Sequence, residues 1–240
     1  SNAGGICGVN RGRIVRCYAF ADVYSRAHYA GGICGESSDT VQSLNSCYFV
    51  GNVIGGKEDQ TGAITGNNIQ YASYCYYDKE RCNASDKNSK ETGKTTQELC
   101  ETKNLFSDDL WIEGSFTATA DAENSNFRTV EYTYPKLKSL KKAAKSGAVK
   151  QYNFGIDGND DWREYTLIKN QSDLEKIADN LGGNYVLGAD ITLSGGFMPI
   201  GGSDKPFTGQ FSGEGYTING KISLLQTGTD VGLFASKSGF

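Results

Sequence analysis

Short apolar runs alternate with glycines and polar residues over the first third of the chain, and none of them has the periodicity of an amphipathic helix. The runs are rich in β-branched and aromatic residues, which favour strands, and the frequent glycines disfavour helices. One motif, Gly-Gly-Ile-Cys-Gly, occurs at residues 4–8, again at residues 31–35, and in the weaker form Gly-Ala-Ile-Thr-Gly at residues 62–66. The pattern predicts short strands and tight turns in a repeating unit.

A second motif, a cysteine followed by a tyrosine, lies between the copies of the first, at Cys17, Cys47 and Cys75. These cysteines are 30 and 28 residues apart, and the first motif recurs at steps of 27 and 31 residues. A period of this length indicates stacked supersecondary units. Each unit would be one coil of strands, and each strand would pair with its equivalent one coil on, about 4.8 Å away. The predicted fold class is all-β, a parallel β-helix or β-solenoid.

The cysteines of the two motifs are predicted to stack in two ladders that point into the solenoid. Cys7 and Cys34 form one ladder, and Cys17, Cys47 and Cys75 form the other. A free cysteine behaves as a small buried hydrophobe, so stacked thiols can fill a narrow interior without oxidation. Parallel in-register side chains are poorly angled for disulfide bonds, and the seven cysteines are an odd number. We therefore expect free thiols.

Two further sets of residues recur with the repeat. The last glycine of the first motif is predicted to lie at a corner of the coil, where positive φ or a close approach of two backbones is needed. These glycines are Gly8, Gly35 and Gly66. The tyrosines of the second motif form a predicted aromatic ladder, which adds packing area if it is buried and can stack on sugar rings if it is exposed. They are Tyr18, Tyr48 and Tyr76.

The repeats end where charged and polar residues replace the apolar runs, which divides the chain into four segments. They are β-solenoid repeats at 4–78, a cap that closes the array at 79–135, a basic then acidic linker at 136–162, and a segment that opens an array at 163–240. Residues 1–3, Ser-Asn-Ala, are typical of the scar left by tag cleavage and are set aside.

Each of the two cap segments is predicted to contain one short helix. In the closing cap, Thr95 or Thr96 can cap a helix that covers the open end of the repeats. In the opening segment, Ser172 and Glu175 have the spacing of a capping box, and apolar residues follow on one face. The fold prediction therefore includes short capping helices.

The order of the segments leaves two unfinished ends. Residues 231–239 align with residues 4–12, so the C-terminal segment stops just as a coil begins, and the N-terminal repeats start at that same point. Uncapped solenoid ends and unpaired strands tend to associate. We expect the opening segment to dock against the first repeat, either within one chain or head to tail between neighbouring chains.

The repeats resemble the GLUG-motif family of bacterial surface or secreted proteins, which includes some immunoglobulin A peptidases and large filamentous adhesins. The two motifs match twice well and once in part, residues 185–209 resemble the segment that opens such arrays, and residues 97–111 with Tyr134-Pro135 resemble the segment that closes them. The resemblance implies a right-handed parallel β-helix and a secreted or cell-surface location. In this chain the closing segment precedes the opening one.

Composition and motifs narrow the range of functions. The net charge of −4 reflects 28 acidic and 24 basic residues, which disfavours nucleic-acid binding. No apolar run approaches the roughly 20 residues that span a bilayer, which disfavours membrane insertion. The one histidine, His28, is accompanied by neither a zinc-protease helix nor a nucleophile elbow. We predict no catalytic residues, no metal and no cofactor.

The predicted function is a non-catalytic structural or adhesin module of a bacterial repeat protein. The alternative is a carbohydrate- or protein-binding module that uses the tyrosine face. A polysaccharide-acting enzyme is less favoured, because such enzymes need acids gathered on one face and the repeats place Asn52 where the preceding coil has Asp22. The partner, a host or cell-surface protein or a glycan, is not identified by the sequence.

Overall fold

The computed structural model describes residues 1–38, 43–55, 57–67, 72–85, 93–101, 106, 111–120, 128–137, 149–153, 161–222 and 230–239. Most of the elements are short strands. In the repeats they are β1 (Ala3–Gly4), β2 (Cys7–Gly12), β3 (Ile14–Val15), β4 (Tyr18–Phe20), β5 (Val23–Tyr24), β6 (Ala30–Gly31), β7 (Cys34–Ser37), β8 (Leu44–Asn45), β9 (Tyr48–Val50), β10 (Val53–Ile54), β11 (Thr61–Gly62), β12 (Ala72–Ser73) and β13 (Tyr76–Asp78).

The remainder of the chain adds further strands and the helices. The strands are β14 (Gly93–Lys94), β15 (Trp111–Ile112), β16 (Ser115–Ala120), β17 (Arg128–Thr133), β18 (Lys136–Leu137), β19 (Val149–Asn153), β20 (Asp161–Ile168), β21 (Asn184–Leu187), β22 (Ile191–Thr192), β23 (Gln210–Ser212), β24 (Ile218–Asn219) and β25 (Phe234–Gly239). The helices are α1 (Thr96–Glu101), α2 (Gln171–Glu175), and the 3₁₀ turns Glu58–Gln60 and Lys176–Asp179.

Equivalent strands of successive coils pair in parallel, as the repeat spacing predicts. Cys7 lies opposite Cys34 in the β2–β7 pair, and the run β4–β9–β13 places Tyr18, Tyr48 and Tyr76 in one row. The three-stranded sheets β1–β6–β11 and β3–β8–β12 follow the same order of coils. The prediction of an all-β parallel β-solenoid with short helices is confirmed.

The C-terminal segment forms coils of the same kind. Strands β20, β21 and β23 pair in parallel, and β22 pairs in parallel with β24. Strand β25 then pairs in parallel with β2, so that one sheet has the order β25–β2–β7. The register joins Cys7 to Phe234 and Gly12 to Gly239, which is the alignment predicted from the sequence. The opening segment thus docks on the first repeat within one chain.

The interior of this stack is one hydrophobic core. It runs from Leu174 and Ile177 under the opening helix, through Phe207 and Phe234, to Ile64 and other residues of the last coil. Residues 1–3, set aside as a scar, also contribute: Ala3 is buried and pairs with Ala30. The joint between the C-terminal and N-terminal segments therefore does not interrupt the core.

Helix α1 closes the far end of the repeats and begins as predicted. The Thr95 hydroxyl accepts a hydrogen bond from the Glu98 N–H at 3.1 Å, and the Glu98 carboxylate accepts one from the Thr95 N–H at 2.8 Å. This is a capping box, in which each side chain satisfies a donor at the start of the helix. Leu99 and Cys100 of this helix are fully buried.

Helix α2 begins two residues earlier than the Ser172–Glu175 capping box predicted. The N-cap is Asn170, whose side-chain oxygen accepts from the Asp173 N–H at 2.9 Å, and the Asp173 carboxylate accepts from the Lys169 N–H at 3.2 Å. An asparagine and an aspartate three residues apart thus supply the reciprocal bonds that serine and glutamate were expected to make. Ser172 lies inside the helix.

The predicted linker at 136–162 contains strands at both ends. Strand β18 pairs antiparallel with β15, and β19 pairs antiparallel with β20 along five residue pairs. Pairing with β19 covers the outer edge of the sheet at the opening end, which would otherwise expose unpaired backbone groups. Most of the basic run in this segment lies outside the described residues.

In the described parts of the chain, no helix has the length and apolar character needed to cross a membrane.

Candidate functional site

The structure places the predicted cysteine ladders inside the solenoid as free thiols. Cys7 and Cys34 face each other on adjacent strands and are almost fully buried, as are Cys47 and Cys75. Cys17 is half-buried in line with Cys47 and Cys75, and the Cys17 carbonyl accepts from the N–H of the next coil's tyrosine. All seven cysteines of the chain are unpaired.

Each ladder has its own hydrogen-bond pattern. In the first, the Cys7 and Cys34 thiols donate to the carbonyl two residues later, at 3.0 and 2.9 Å. In the second, the thiols donate to the carbonyl two residues earlier, as Cys47 does to Asn45 at 3.2 Å. The same thiol geometry in successive coils shows that these side chains are part of the repeating core.

The environment of the ladders makes the thiols poor nucleophiles. Burial raises the pKa of Cys34 and that of Cys47 well above the ordinary thiol value. Cys7 adds to the shift of Cys34, whereas at Cys47 the hydrogen bond with Cys17 lowers the pKa and the one with Cys75 raises it. Since the thiolate is the reactive form and the usual metal ligand, neutral buried thiols are suited to packing. Among the described residues, no group of three or more histidines, cysteines and acids is placed to hold a metal ion.

The ladders predict a difference in thiol reactivity between the folded and the unfolded protein. In denaturant without reductant, a thiol reagent should label at least five of the seven cysteines, whereas the folded protein at pH 7 should react at few of them because their sulfur atoms are shielded. Mass spectrometry of the alkylated protein counts the labels. Recovery of three disulfides from freshly purified protein would contradict the thiol ladders.

The predicted corner position is wrong for Gly8 and Gly35, which lie inside strands β2 and β7. The last glycine of each copy of the first motif instead meets neighbouring backbone. A Cβ atom added at Gly35 would lie 2.7 Å from the Ala3 nitrogen, and one at Gly66 would lie 2.6 Å from the Ala30 nitrogen. At Gly8 the added atom would lie 2.6 Å from Cβ of Asp230 and 2.8 Å from the Ala235 oxygen. Of the two reasons expected for glycine, close approach applies, and positive φ does not occur at these positions.

Positive φ occurs instead at a corner that the sequence analysis missed. Arg16, Ser46 and Tyr74 have φ of 53°, 54° and 52°, and each directly precedes a cysteine of the second ladder. A non-glycine residue in the left-handed region costs about 1–2 kcal/mol, so this corner is imposed by the stacking of the coils. Three different residue types occupy it, and the one signal in the sequence was their shared position before a cysteine.

The tyrosine ladder is covered by the closing cap. The rings of Tyr18 and Tyr48 are stacked with centroids 5.2 Å apart, and Trp111 packs against both. Tyr48 is fully buried, and its hydroxyl donates to the Pro135 carbonyl at 2.6 Å. Tyr18 and Tyr76 are half-buried at the edges of this cluster. The ladder therefore packs the cap onto the repeats, and its central ring is closed to a ligand.

A buried carboxylate ties the same cap to the last coil. Asp78, at the end of β13, is fully buried, and one of its oxygens accepts from the Thr96 hydroxyl at 2.7 Å and from the Tyr134 hydroxyl at 2.6 Å. Its other oxygen accepts from the Glu80 N–H at 2.9 Å. Burial and the hydrogen bond to Asp78 raise the pKa of Tyr134. We name Asp78, Thr96 and Tyr134 the cap lock.

The groups considered for catalysis do not converge. His28 is exposed between coils, and the Asp22 carboxylate accepts from the Asn52 N–H at 3.0 Å on the surface. An open cleft beside β10 is lined by Val53, Ile54, Asn83 and neighbouring residues, and Asp59 is the one ionisable side chain among those that line it.

Comparison of the chain with protein-family models, with curated proteins and with solved structures found no match. The resemblance to GLUG-motif repeats therefore stays a prediction from the sequence.

Proposed function

We propose that this chain is a non-catalytic structural module of a secreted or surface-displayed bacterial repeat protein of the GLUG-motif kind. In this role it would hold neighbouring binding domains away from the cell. A solenoid suits the role because each coil contacts only its neighbours, so that stacking provides length without a large central core.

The observation that supports the proposal best is that the repeated side chains pack the coils and the closing cap together. The cysteines fill the interior, the glycines of the first motif allow the coils to approach, and the tyrosines attach the closing cap. Helices close both ends of the stack, α2 over Ile168 and its neighbours and α1 over the last coil. The positions that recur in every coil thus have structural roles.

The tyrosine face is the second candidate function, and the packing of the cap gives it less support. A sugar-binding platform needs exposed aromatic faces, whereas Tyr48 has no exposed surface. Tyr24, which is 59% exposed on β5, is the most exposed large apolar side chain among the described residues, and it lies away from the ladder.

A glycan array tests the structural proposal against this alternative. With the protein at about 0.1 mM, which reveals dissociation constants approaching 1 mM, we expect no glycan to retain it. The matched variants are Tyr18→Ala, which alters a half-buried end of the ladder, and Tyr24→Ala, which removes an exposed tyrosine elsewhere. Retention that is lost in Tyr18→Ala and kept in Tyr24→Ala would establish the tyrosine face as a binding site and contradict the proposal.

A further inference from the structure

One coil-to-coil interface differs from all the others in how the chain connects it. Strand β2 pairs with β7, which follows it by 27 residues from Cys7 to Cys34, and with β25 on the other side, 227 residues away from Cys7 to Phe234. We call the β2–β25 contact the seam. Among the described strands, the other parallel coil pairs join stretches that follow one another along the chain, so the seam is the one contact between them that can open without separating consecutive coils.

Opening the seam would leave two lobes, each of which is still covered by a helix at its other end. The lobe of residues 161–239 keeps α2, with Leu174 and Ile177 buried against its coils. The lobe of residues 1–137 keeps α1 and the cap lock. Each would then expose one unpaired strand, β25 or β2, and an unpaired strand edge is a template for pairing.

The two edges of the seam are complementary in shape. An added Cβ at Gly232 would lie 2.9 Å from Cα of Cys7, and one at Gly8 would lie 2.6 Å from Cβ of Asp230. Phe234, which lies opposite Cys7 across the seam, and Ala235 are buried. A strand with side chains at these glycine positions would not fit, so each edge selects the other.

The seam also contains polar groups that are costly to bury. The Ser236 hydroxyl is fully buried without a hydrogen-bond partner, which costs about 1–3 kcal/mol. Next to it, Lys237 lies in register with Asn10, and burial lowers the pKa of its ammonium group. The unpartnered Ser236 hydroxyl therefore weakens the seam.

We propose that the seam is an interaction surface for a second copy of this chain, in which the opening lobe of one molecule pairs with the first coil of another. The contacts made in trans are the same as those made within the chain. Closure within the chain benefits from an effective concentration on the order of millimolar, so exchange should become substantial when the protein folds near that concentration. Exchange of identical elements is a low-cost route to dimers and longer assemblies.

Refolding at two concentrations tests the proposal with the full chain. The protein is unfolded in guanidinium chloride with reductant and refolded at about 5 µM, far below the millimolar effective concentration of closure, and at about 500 µM, close to it. Both samples are brought to one concentration and their masses are measured by light scattering after size exclusion. We expect the 25.9 kDa monomer from the dilute sample and a large fraction of integral multiples of that mass from the concentrated one. Monomer alone from both samples would overturn the proposal.

Variants at the seam separate exchange from non-specific aggregation. Gly8→Ala and the milder Gly232→Ala place a Cβ atom against the opposing strand, and Gly202→Ala, where no atom lies within 4 Å, is the control. Because the closed monomer and the exchanged multimer contain the same seam, we expect both to be replaced by an open, more extended monomer in the seam variants, more completely in Gly8→Ala, and all species to stay unchanged in Gly202→Ala. Multimers that persist in a seam variant whose monomer has become extended would show association through other surfaces and overturn the proposal. Circular dichroism shows whether each variant retains its strands. If Gly8→Ala does not fold, the milder Gly232→Ala alone serves as the seam variant.

Discussion

Replacing Asp78 with alanine is expected to lower the free energy of unfolding by about 3–5 kcal/mol, the range found when one partner of a buried charged network is removed. The substitution deprives the Thr96 and Tyr134 hydroxyls and the Glu80 N–H of their acceptor in a fully buried position. The closing cap would lose its polar attachment to the last coil. Tyr48 and its neighbours in the aromatic cluster would then become accessible more often.

Urea unfolding followed by circular dichroism measures this effect as a shift of the midpoint at unchanged slope. Asp22→Ala is the matched control, because Asp22 accepts one backbone hydrogen bond at the surface. It should change the free energy of unfolding by no more than about 0.5–1 kcal/mol. If the two variants were equally stable, the cap lock would contribute little to the attachment of the cap.

The second large effect is a loss of stability at alkaline pH. Burial raises the pKa of Cys34 and Cys47 in the folded protein, so these thiols keep their protons where the unfolded chain loses them. Below the ordinary thiol pKa, near 8.5, their contribution is complete, and it is lost as the pH rises towards the folded-state values. Cys17, whose pKa is raised by its hydrogen bond with Cys47 and by burial, is a third such thiol. With three such thiols, the free energy of unfolding should fall by about 4 kcal/mol per pH unit above roughly pH 9.

Denaturant unfolding between pH 7 and pH 10.5 measures this slope. Cys47→Ala removes one of these thiols and also the hydrogen bond that contributes most to the raised pKa of Cys17. Its slope should therefore be smaller by at least about 1.4 kcal/mol per pH unit, although the variant is less stable at pH 7. Tyr48 and Tyr134, whose pKa values are also raised by burial, add to the loss at the upper end of the range. A slope unaffected by Cys47→Ala would show that this thiol ionises as easily in the folded protein as in the unfolded one.

The closing cap shows where sequence reasoning succeeded and where it stopped. The capping box of α1 was predictable because Thr95 and Glu98 are three residues apart and act on each other locally. Asp78, by contrast, meets Tyr134 across 56 residues, and no periodicity or spacing connects them. The sequence could not decide whether Tyr48 is buried, because the residues that cover it, Trp111 and Pro135, belong to another segment.

The repeats themselves were determined by the sequence. A stacked coil places equivalent residues against each other, so the recurrence of Cys7 at Cys34 and of Tyr18 at Tyr48 was sufficient to predict the parallel register. The register of the β2–β25 pair at the seam could also be predicted, from the alignment of residues 231–239 with residues 4–12. The tertiary structure alone decided that this alignment is satisfied within one chain, because the choice depends on how the intervening segments return. It alone also decided that Arg16, Ser46 and Tyr74 take the left-handed corner, because neighbouring coils impose that conformation against the preference of each residue.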